Sequence, residues 1–202
     1  GSTGQRLLPT MTTCAKAIQN FEQKSGGPAV EQAKVLLYGQ IPPIKKMEPA
    51  ALSSLSACEH LALSTNQIDR IEAISLPNLR VLSLGRNMIK KIEKLDELAG
   101  SLQELWLSYN QIKTLDGVAS LENLTTLYLS NNLISEWSEL DKLTSLPQLK
   151  DILLLGNPIY EGLEEHDRRI QVLQHIPGLM KIDGDMIKPS EREEAAAASA
   201  GM

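Results

Sequence analysis

Three histidines and two cysteines are the clearest candidates in this chain for metal ligands or catalytic nucleophiles. They are Cys14, Cys58, His60, His166 and His175. Metal sites and catalytic pairs need several such residues at short, fixed spacings, as in Cys-x-x-Cys or His-Glu-x-x-His. Neither spacing occurs, and the glycines do not form a phosphate-binding loop. The sequence therefore predicts no catalytic residue, no metal, no cofactor and no enzyme.

A repeated sequence pattern predicts the secondary-structure elements that would position any functional residue. The spacing apolar-x-x-apolar-x-apolar-x-x-Asn occurs five times in the chain of 202 residues. Such a pattern, with a period of about 22 residues, is typical of a leucine-rich-repeat solenoid, so the predicted fold class is α/β. The five copies are Cys58-Leu61-Leu63-Asn66, Leu79-Leu82-Leu84-Asn87, Leu102-Leu105-Leu107-Asn110, Leu124-Leu127-Leu129-Asn132 and Leu149-Ile152-Leu154-Asn157.

Each copy is interpreted as a short strand followed by a turn. Because side chains alternate across a strand, the two leucines of Leu-x-Leu point together into the core. The asparagine follows where the chain turns, and its amide can both donate and accept hydrogen bonds. We therefore expect the five asparagines to satisfy buried backbone groups. Cys58 and Trp137 also fall at inward positions and are predicted to be core residues.

The ends of a solenoid must be modified, because one repeat cannot bury its apolar face alone. Leu163, Ile170, Leu173 and Ile176 lie on one helical stripe and predict a C-terminal capping helix. On the amino side, apolar residues between 17 and 37 predict one or two short helices. The predicted organisation is a cloning remnant or disorder at 1–10, a helical cap and opening half-repeat at 11–57, five repeats at 58–160, a C-terminal cap with a half-repeat at 161–184, and a helical or disordered tail at 185–202.

The strand alternation also predicts which residues face solvent. Trp106, Tyr128 and Leu153 follow one another at the middle outward position, with Leu155 beside them. The core does not require apolar residues there, and contiguous exposed apolar patches with Trp and Tyr anchors mark protein-binding sites. The alternatives are unremarkable scattered hydrophobic residues and a tail that folds over this face. The same positions in the first two repeats are Ala62 and Ser83.

Charge and hydropathy limit the partners. The net charge of −5 argues against sequence-independent nucleic-acid binding, which needs a basic surface. The chain has neither an apolar run long enough to span a bilayer nor a signal peptide, so we expect an intracellular protein without membrane contact. Arg86, Lys90, Lys91 and Lys94 lie close together in one repeat. They form either an ordinary solvated edge or a docking patch for an acidic partner.

Several strings are more specific than the bare repeat. They are Leu-Trp-Leu-Ser-Tyr-Asn at 105–110, Leu-Tyr-Leu-Ser-Asn-Asn at 127–132, Leu-Gly-Asn-Pro at 155–158 and Ile-Pro-Pro-Ile-Lys-Lys-Met at 41–47. With them, residues 12–194 closely resemble the leucine-rich-repeat light chain 1 family of axonemal outer-arm dynein. The resemblance implies a non-enzymatic subunit in the cytoplasm and cytoskeleton, at the axoneme of a cilium or flagellum. In that family the sheet face binds the microtubule-binding domain on the heavy-chain stalk and modulates engagement of the motor with the microtubule.

The family resemblance and the solvent-facing apolar residues of the strands together define the candidate site residues. The expected heavy-chain contacts are Val81, Arg86, Trp106, Tyr109, Tyr128, Leu153 and Leu155. Tail contacts are implied for Met186 and Arg192, although the family pattern has methionine directly after Asp-Gly and this chain inserts Asp185. Lys90, Lys91 and Lys94 become a candidate patch facing tubulin, whose surface is acidic.

Two other functions stay open at this stage. Related leucine-rich-repeat proteins with similar repeats dock on a protein phosphatase, so a phosphatase regulatory subunit is the main alternative. That group resembles this chain only in the repeat. An RNA-associated solenoid is a third hypothesis, which the acidic net charge disfavours.

Overall fold

The structure is a computed structural model that describes residues 10–201. The predicted cloning remnant lies outside the described residues apart from Thr10. The α-helices are α1 (Cys14–Ser25), α2 (Pro49–Ser53), α3 (Glu165–His175) and α4 (Pro189–Ala200). The strands are β1 (Lys34–Leu36), β2 (His60–Ala62), β3 (Val81–Ser83), β4 (Glu104–Trp106), β5 (Thr126–Tyr128), β6 (Asp151–Leu153), β7 (Lys181–Ile182) and β8 (Asp185–Met186). Short 3-10 segments cover Ala29–Glu31, Asp96–Leu98, Trp137–Ser145 and Pro158–Tyr160.

All eight strands form one sheet in chain order. Strands β1 to β7 are parallel, and β8 turns back antiparallel on β7. The register places the central leucine-type residues of adjacent strands opposite one another, and every one of them is fully buried. They are Leu61, Leu82, Leu105, Leu127 and Ile152. The predicted α/β leucine-rich-repeat solenoid is confirmed.

The repeat asparagines join neighbouring repeats through a buried ladder of hydrogen bonds. Asn110 shows the pattern: its Nδ2 donates to the carbonyl oxygens of Leu84 and Leu107, both at 3.0 Å. Its Oδ1 accepts from the backbone N–H of Ile89 at 2.9 Å. One amide thus satisfies three buried backbone groups in two repeats. The other four asparagines make the same contacts, which confirms their predicted structural role.

The amino end differs from the predicted helices. Of the one or two predicted helices, α1 is present, and Thr13 caps it by accepting from the N–H of Lys16. No second α-helix forms from the apolar residues at 30–37. That segment is a 3-10 turn followed by β1, which pairs with β2. Asn66 donates to the carbonyl oxygen of Leu37 and accepts from the N–H of Ile44. Residues 34–47 therefore bond to the asparagine ladder in the same way as a full repeat does.

The carboxyl end closes the stack with two packed helices. Helix α3 contains and buries Ile170 and Leu173 of the predicted stripe, but Leu163 precedes the helix and Ile176 directly follows it. The tail forms α4, which packs against α3 and buries Ala195. A buried ion pair joins these helices: Nε of Arg169 lies 2.6 Å from Oε1 of Glu191. The Arg169 guanidinium also donates to the carbonyl oxygens of Ile182 and Met186. Residues 189–200 of the tail are therefore part of the cap.

An aspartate caps the backbone of β6, where the sheet narrows to the short strand β7. Oδ1 of Asp183 accepts from the backbone N–H groups of Leu154 and Leu155 at 2.7 and 3.1 Å. Its Oδ2 accepts from the hydroxyl of Tyr160 at 2.8 Å. Only donors point at this last position, so a carboxylate, which accepts at both oxygens, satisfies them where an amide would not.

Cys58 and Trp137, both predicted to be core residues, have different outcomes. Cys58 is fully buried, and burial raises the pKa of its thiol to about 11, so the thiol stays protonated near neutral pH. Trp137 is only partly buried; it packs against the core, and the centroid of its ring lies 5.8 Å from that of the stacked His175 ring.

No helix within residues 10–201 is long and apolar enough to cross a membrane.

Candidate protein-binding face

The outward side of the sheet, called here the sheet face, carries a stacked aromatic pair. Trp106 on β4 and Tyr128 on β5 are register partners, and their ring centroids lie 6.0 Å apart with planes 22° from parallel. Both side chains are partly exposed. Leu153 is the next register partner of Tyr128 and is also partly exposed. The structure thus brings these three predicted residues together in one row.

A third ring, that of His60, joins this pair from the other side. The ring of His60 on β2 meets Trp106 edge-on, with centroids 5.5 Å apart and planes at 78°. Strands β2 and β4 are two steps apart, about 10 Å, so both rings lean over β3. This explains why Ala62 and Ser83, although at outward positions, are buried. His60 was not among the predicted contacts, and the small residues between it and Trp106 were the available signal.

Two carboxylates hold the aromatic pair in place. The indole N–H of Trp106 donates to Oε2 of Glu104 at 2.9 Å, and the hydroxyl of Tyr128 donates to Oδ2 of Asp151 at 3.0 Å. Burial, with the hydrogen bond to Asp151, raises the pKa of Tyr128 to about 12. Both rings are therefore fixed before any partner binds. The result is a rigid apolar surface flanked by negative charge.

The rim beyond the strands carries the remaining predicted heavy-chain contacts. Arg86 and Tyr109 directly precede ladder asparagines in left-handed backbone conformations, with φ of 54° and 60°. The Arg86 guanidinium lies 4.1 Å from the centroid of the Tyr109 ring, within cation–π distance. Tyr109 and Leu155 are exposed, at 45% and 39%. Val81 lies on β3 and is partly exposed.

The two predicted tail contacts occupy different environments. Met186 lies on β8 and is 61% exposed. Arg192 is bound within the C-terminal cap, where its guanidinium nitrogens donate to the carbonyl oxygens of Pro177 and Leu179 at 2.6 and 2.9 Å. A partner would have to compete with these bonds for Arg192. Tail contacts stay a prediction for both residues.

The three lysines of the predicted patch differ in whether they form an ion pair. Lys90 and Lys91 are exposed and form no ion pair within the described chain. Lys94 differs, because its Nζ lies 2.5 Å from Oε2 of Glu72. Lys94 is therefore already neutralised by a neighbour in the preceding repeat.

The two C-terminal histidines have structural partners. Ring nitrogens of His166 and His175 lie 2.9 and 2.6 Å from carboxylate oxygens of Glu194 and Asp141. Within residues 10–201, no group of three or more histidine, cysteine, aspartate or glutamate side chains could hold a metal ion.

Comparisons with known proteins place the sequence. The family profile described as "Leucine Rich repeats (2 copies)" matches residues 101–142. Dynein axonemal light chain 1 of Chlamydomonas reinhardtii is 51% identical over 195 residues, which cover 94% of this chain and 98% of that protein. The proteins of the same name from Danio rerio and Homo sapiens are 44% and 43% identical, and this chain covers 95% and 97% of them.

Solved structures resemble the fold at lower identity. A chain in the Drosophila melanogaster SNF/U2A' complex superposes with a TM-score of 0.55 at 21% identity, covering 93% of this chain and 91% of that one. A leucine-rich-repeat protein of Leptospira interrogans gives a TM-score of 0.54 at 22% identity, covering 68% of this chain and 36% of that one. These likenesses support the solenoid architecture alone. The identity and coverage of the curated relatives show more: the chain belongs to the axonemal dynein light chain 1 family.

Proposed function

We propose that this chain is a non-catalytic light-chain subunit of an axonemal dynein. Its family membership supports that role and a location in the ciliary or flagellar axoneme. In the proposal, the sheet face binds the microtubule-binding domain on the stalk of the heavy chain. The bound subunit modulates how the motor engages the microtubule through contact and geometry.

The single observation behind the proposal is the fixed aromatic pair on the open side of the sheet. The stacked rings of Trp106 and Tyr128 are partly exposed although the core does not need them. Large aromatic side chains with few rotatable bonds are the usual anchors of protein interfaces. Because carboxylates already hold both rings, little side-chain entropy would be lost when a partner binds.

The two flanking acids define what the partner should present. Glu104 and Asp151 each use one oxygen to hold an aromatic ring, and their charges border the apolar surface. A helix or loop that places an apolar side chain on the rings and a lysine or arginine at the border would complement both features. We expect the stalk domain to dock with such a surface.

The test is the affinity of the isolated stalk domain for Trp106→Ala, measured by calorimetry. Loss of a central aromatic anchor should weaken binding by roughly 2–4 kcal/mol, about 30- to 1,000-fold. The stability cost should be only about 1 kcal/mol, because the side chain is partly exposed. Leu105→Ala on the buried side of the same strand should cost roughly 2–5 kcal/mol of stability instead.

The other tryptophan provides a matched control. Trp137 is also partly buried but stacks on His175 in the C-terminal cap. Trp137→Ala should leave the affinity for the stalk domain unchanged. Equal affinity of Trp106→Ala and the parent would disprove this docking face. Recovery of a phosphatase catalytic subunit without dynein heavy chain from ciliated-cell extract would favour the phosphatase hypothesis.

A further inference from the structure

Two adjacent positions in each repeat form a continuous surface away from the sheet face. They follow the buried residues Ile44, Ile68, Ile89 and Ile112. At each of these residues the backbone carbonyl accepts from an N–H of the next repeat at 2.8–2.9 Å. The paired positions of successive repeats therefore lie side by side, about 5 Å apart.

Six of the eight residues at these positions are cations, and all six are exposed. They form what we call the basic strip: Lys45, Lys46, Arg70, Lys90, Lys91 and Lys113. The other two are Asp69 and Thr114. No member of the strip takes part in an ion pair within residues 10–201. This concentration of positive charge is unexpected in a chain whose net charge is −5.

A neighbouring column of acids does not neutralise the strip. The column is Glu48, Glu72, Glu93 and Asp116, four residues after each of the buried isoleucines. Three of these carboxylates have other partners: Glu48 accepts from the backbone N–H of Cys14, Glu72 pairs with Lys94, and Asp116 pairs with Lys142. The cations of the strip are thus left available to another molecule. Lys94 belongs with the acidic column and is excluded from the strip.

We propose that the basic strip binds an extended acidic polypeptide segment of a partner protein. The strip is linear and spans four repeats at steps of about 5 Å, so a short extended peptide can contact it from one end to the other. Five of its six cations are lysines, which act as point charges on flexible stems and can follow mobile carboxylates. This contact is separate from the sheet face and does not depend on it.

The composition of the strip disfavours nucleic acid as its ligand. The eight positions contain no aromatic side chain on which bases could stack. Only one is an arginine, the residue that best forms bidentate contacts with phosphate. The acidic net charge would also repel a long polyanion beyond the strip, whereas a short acidic segment senses mainly the local field.

The experiment uses the full chain and a fluorescent peptide of about ten glutamates, which is long enough to cover the strip when extended. Binding is measured by anisotropy at low salt and across a salt series. In Lys90→Gln/Lys91→Gln/Lys113→Gln the affinity should fall about tenfold, with a shallower salt dependence. The matched control, Lys16→Gln/Lys24→Gln/Arg80→Gln, removes three exposed cations outside the basic strip. Its affinity for the peptide should differ from that of the parent by less than about twofold.

Three results would overturn the inference. The parent could fail to bind the peptide at low salt, or both triple variants could lose the same affinity, which would mean attraction by net charge alone. A uridine oligonucleotide of equal length could bind as tightly as the peptide and lose affinity in the same strip variant, which would indicate a nucleic-acid site. Trp106→Ala should bind the peptide like the parent, so failure of the sheet-face proposal and failure of this one are distinguishable.

Discussion

The two sides of each strand differ in how much their residues vary from one repeat to the next. On the buried side the same residue type recurs, and Leu61, Leu82, Leu105 and Leu127 are all fully buried. On the sheet face the corresponding residues change from small to aromatic along the stack. Each repeat must stack on the next, so the buried side has little freedom to vary. The sheet face is free to vary, and we expect it to determine the partner.

The largest expected effect comes from breaking the ladder on the buried side. Asn110→Ala would leave the carbonyls of Leu84 and Leu107 and the N–H of Ile89 without their buried partner. Each unsatisfied buried group costs about 1–3 kcal/mol, so we expect the loss of three partners to lower the free energy of unfolding by roughly 3–9 kcal/mol. Urea unfolding followed by circular dichroism measures this loss.

An exposed asparagine supplies the control for that experiment. Nδ2 of Asn123 also donates to two carbonyls of the preceding repeat, those of Ala99 and Gly100, at 3.3 and 3.2 Å. Water can replace these bonds, so Asn123→Ala should cost about 0.5–1 kcal/mol. Similar losses for Asn110 and Asn123 would mean that burial does not make the ladder important.

The next largest effect concerns the C-terminal cap, where the buried ion pair of Arg169 and Glu191 should make stability depend on pH. The Arg169 guanidinium lowers the pKa of the Glu191 carboxyl from 4.5 to about 2 by hydrogen bonding. A lowered folded-state pKa stabilises the protein above the unfolded value, and this contribution is lost as the pH falls from about 5 to 2. Its size is on the order of 3 kcal/mol. The stability of the parent should therefore fall over this range with a component due to Glu191.

Glu191→Gln isolates that component. The difference in unfolding free energy between the parent and the variant should be largest above about pH 5 and should shrink towards pH 2, because only the parent loses a carboxylate there. Thermal melts at fixed ionic strength across this pH range measure the difference. A difference that is constant with pH would show that the Arg169 contact does not stabilise the ionised carboxyl.

The sequence predicted the repeated part of the fold better than its ends. The period and the strand alternation place every ladder asparagine correctly, because each repeat contains the whole signal. The apolar residues at 30–37 fit a helix equally well, and β1 forms there because β2 offers a pairing edge. The pairing of Arg169 with Glu191 joins residues 22 apart that share no motif, so local sequence could not predict it.

The candidate surfaces show the same division. Trp106 and Tyr128 are adjacent in the structure because the repeat register is regular, and the sequence was sufficient to predict this. His60 joins them across a whole strand, which depends on ring orientation. The basic strip could have been found from sequence by aligning the positions after Ile68 and Ile89. Its lack of ion pairs could not, because that depends on where the acidic side chains point.

The smallest expected effect separates the ring of Tyr128 from its hydroxyl. Tyr128→Phe keeps the stack on Trp106 and removes the hydrogen bond to Asp151. Loss of one such bond to a charged, partly exposed group should cost about 1 kcal/mol of stability. If the sheet face binds through apolar contact, affinity for the stalk domain should change less than about threefold in Tyr128→Phe but fall tenfold or more in Tyr128→Ala. Equal losses in both variants would mean that the hydroxyl and Asp151, rather than the ring, make the contact.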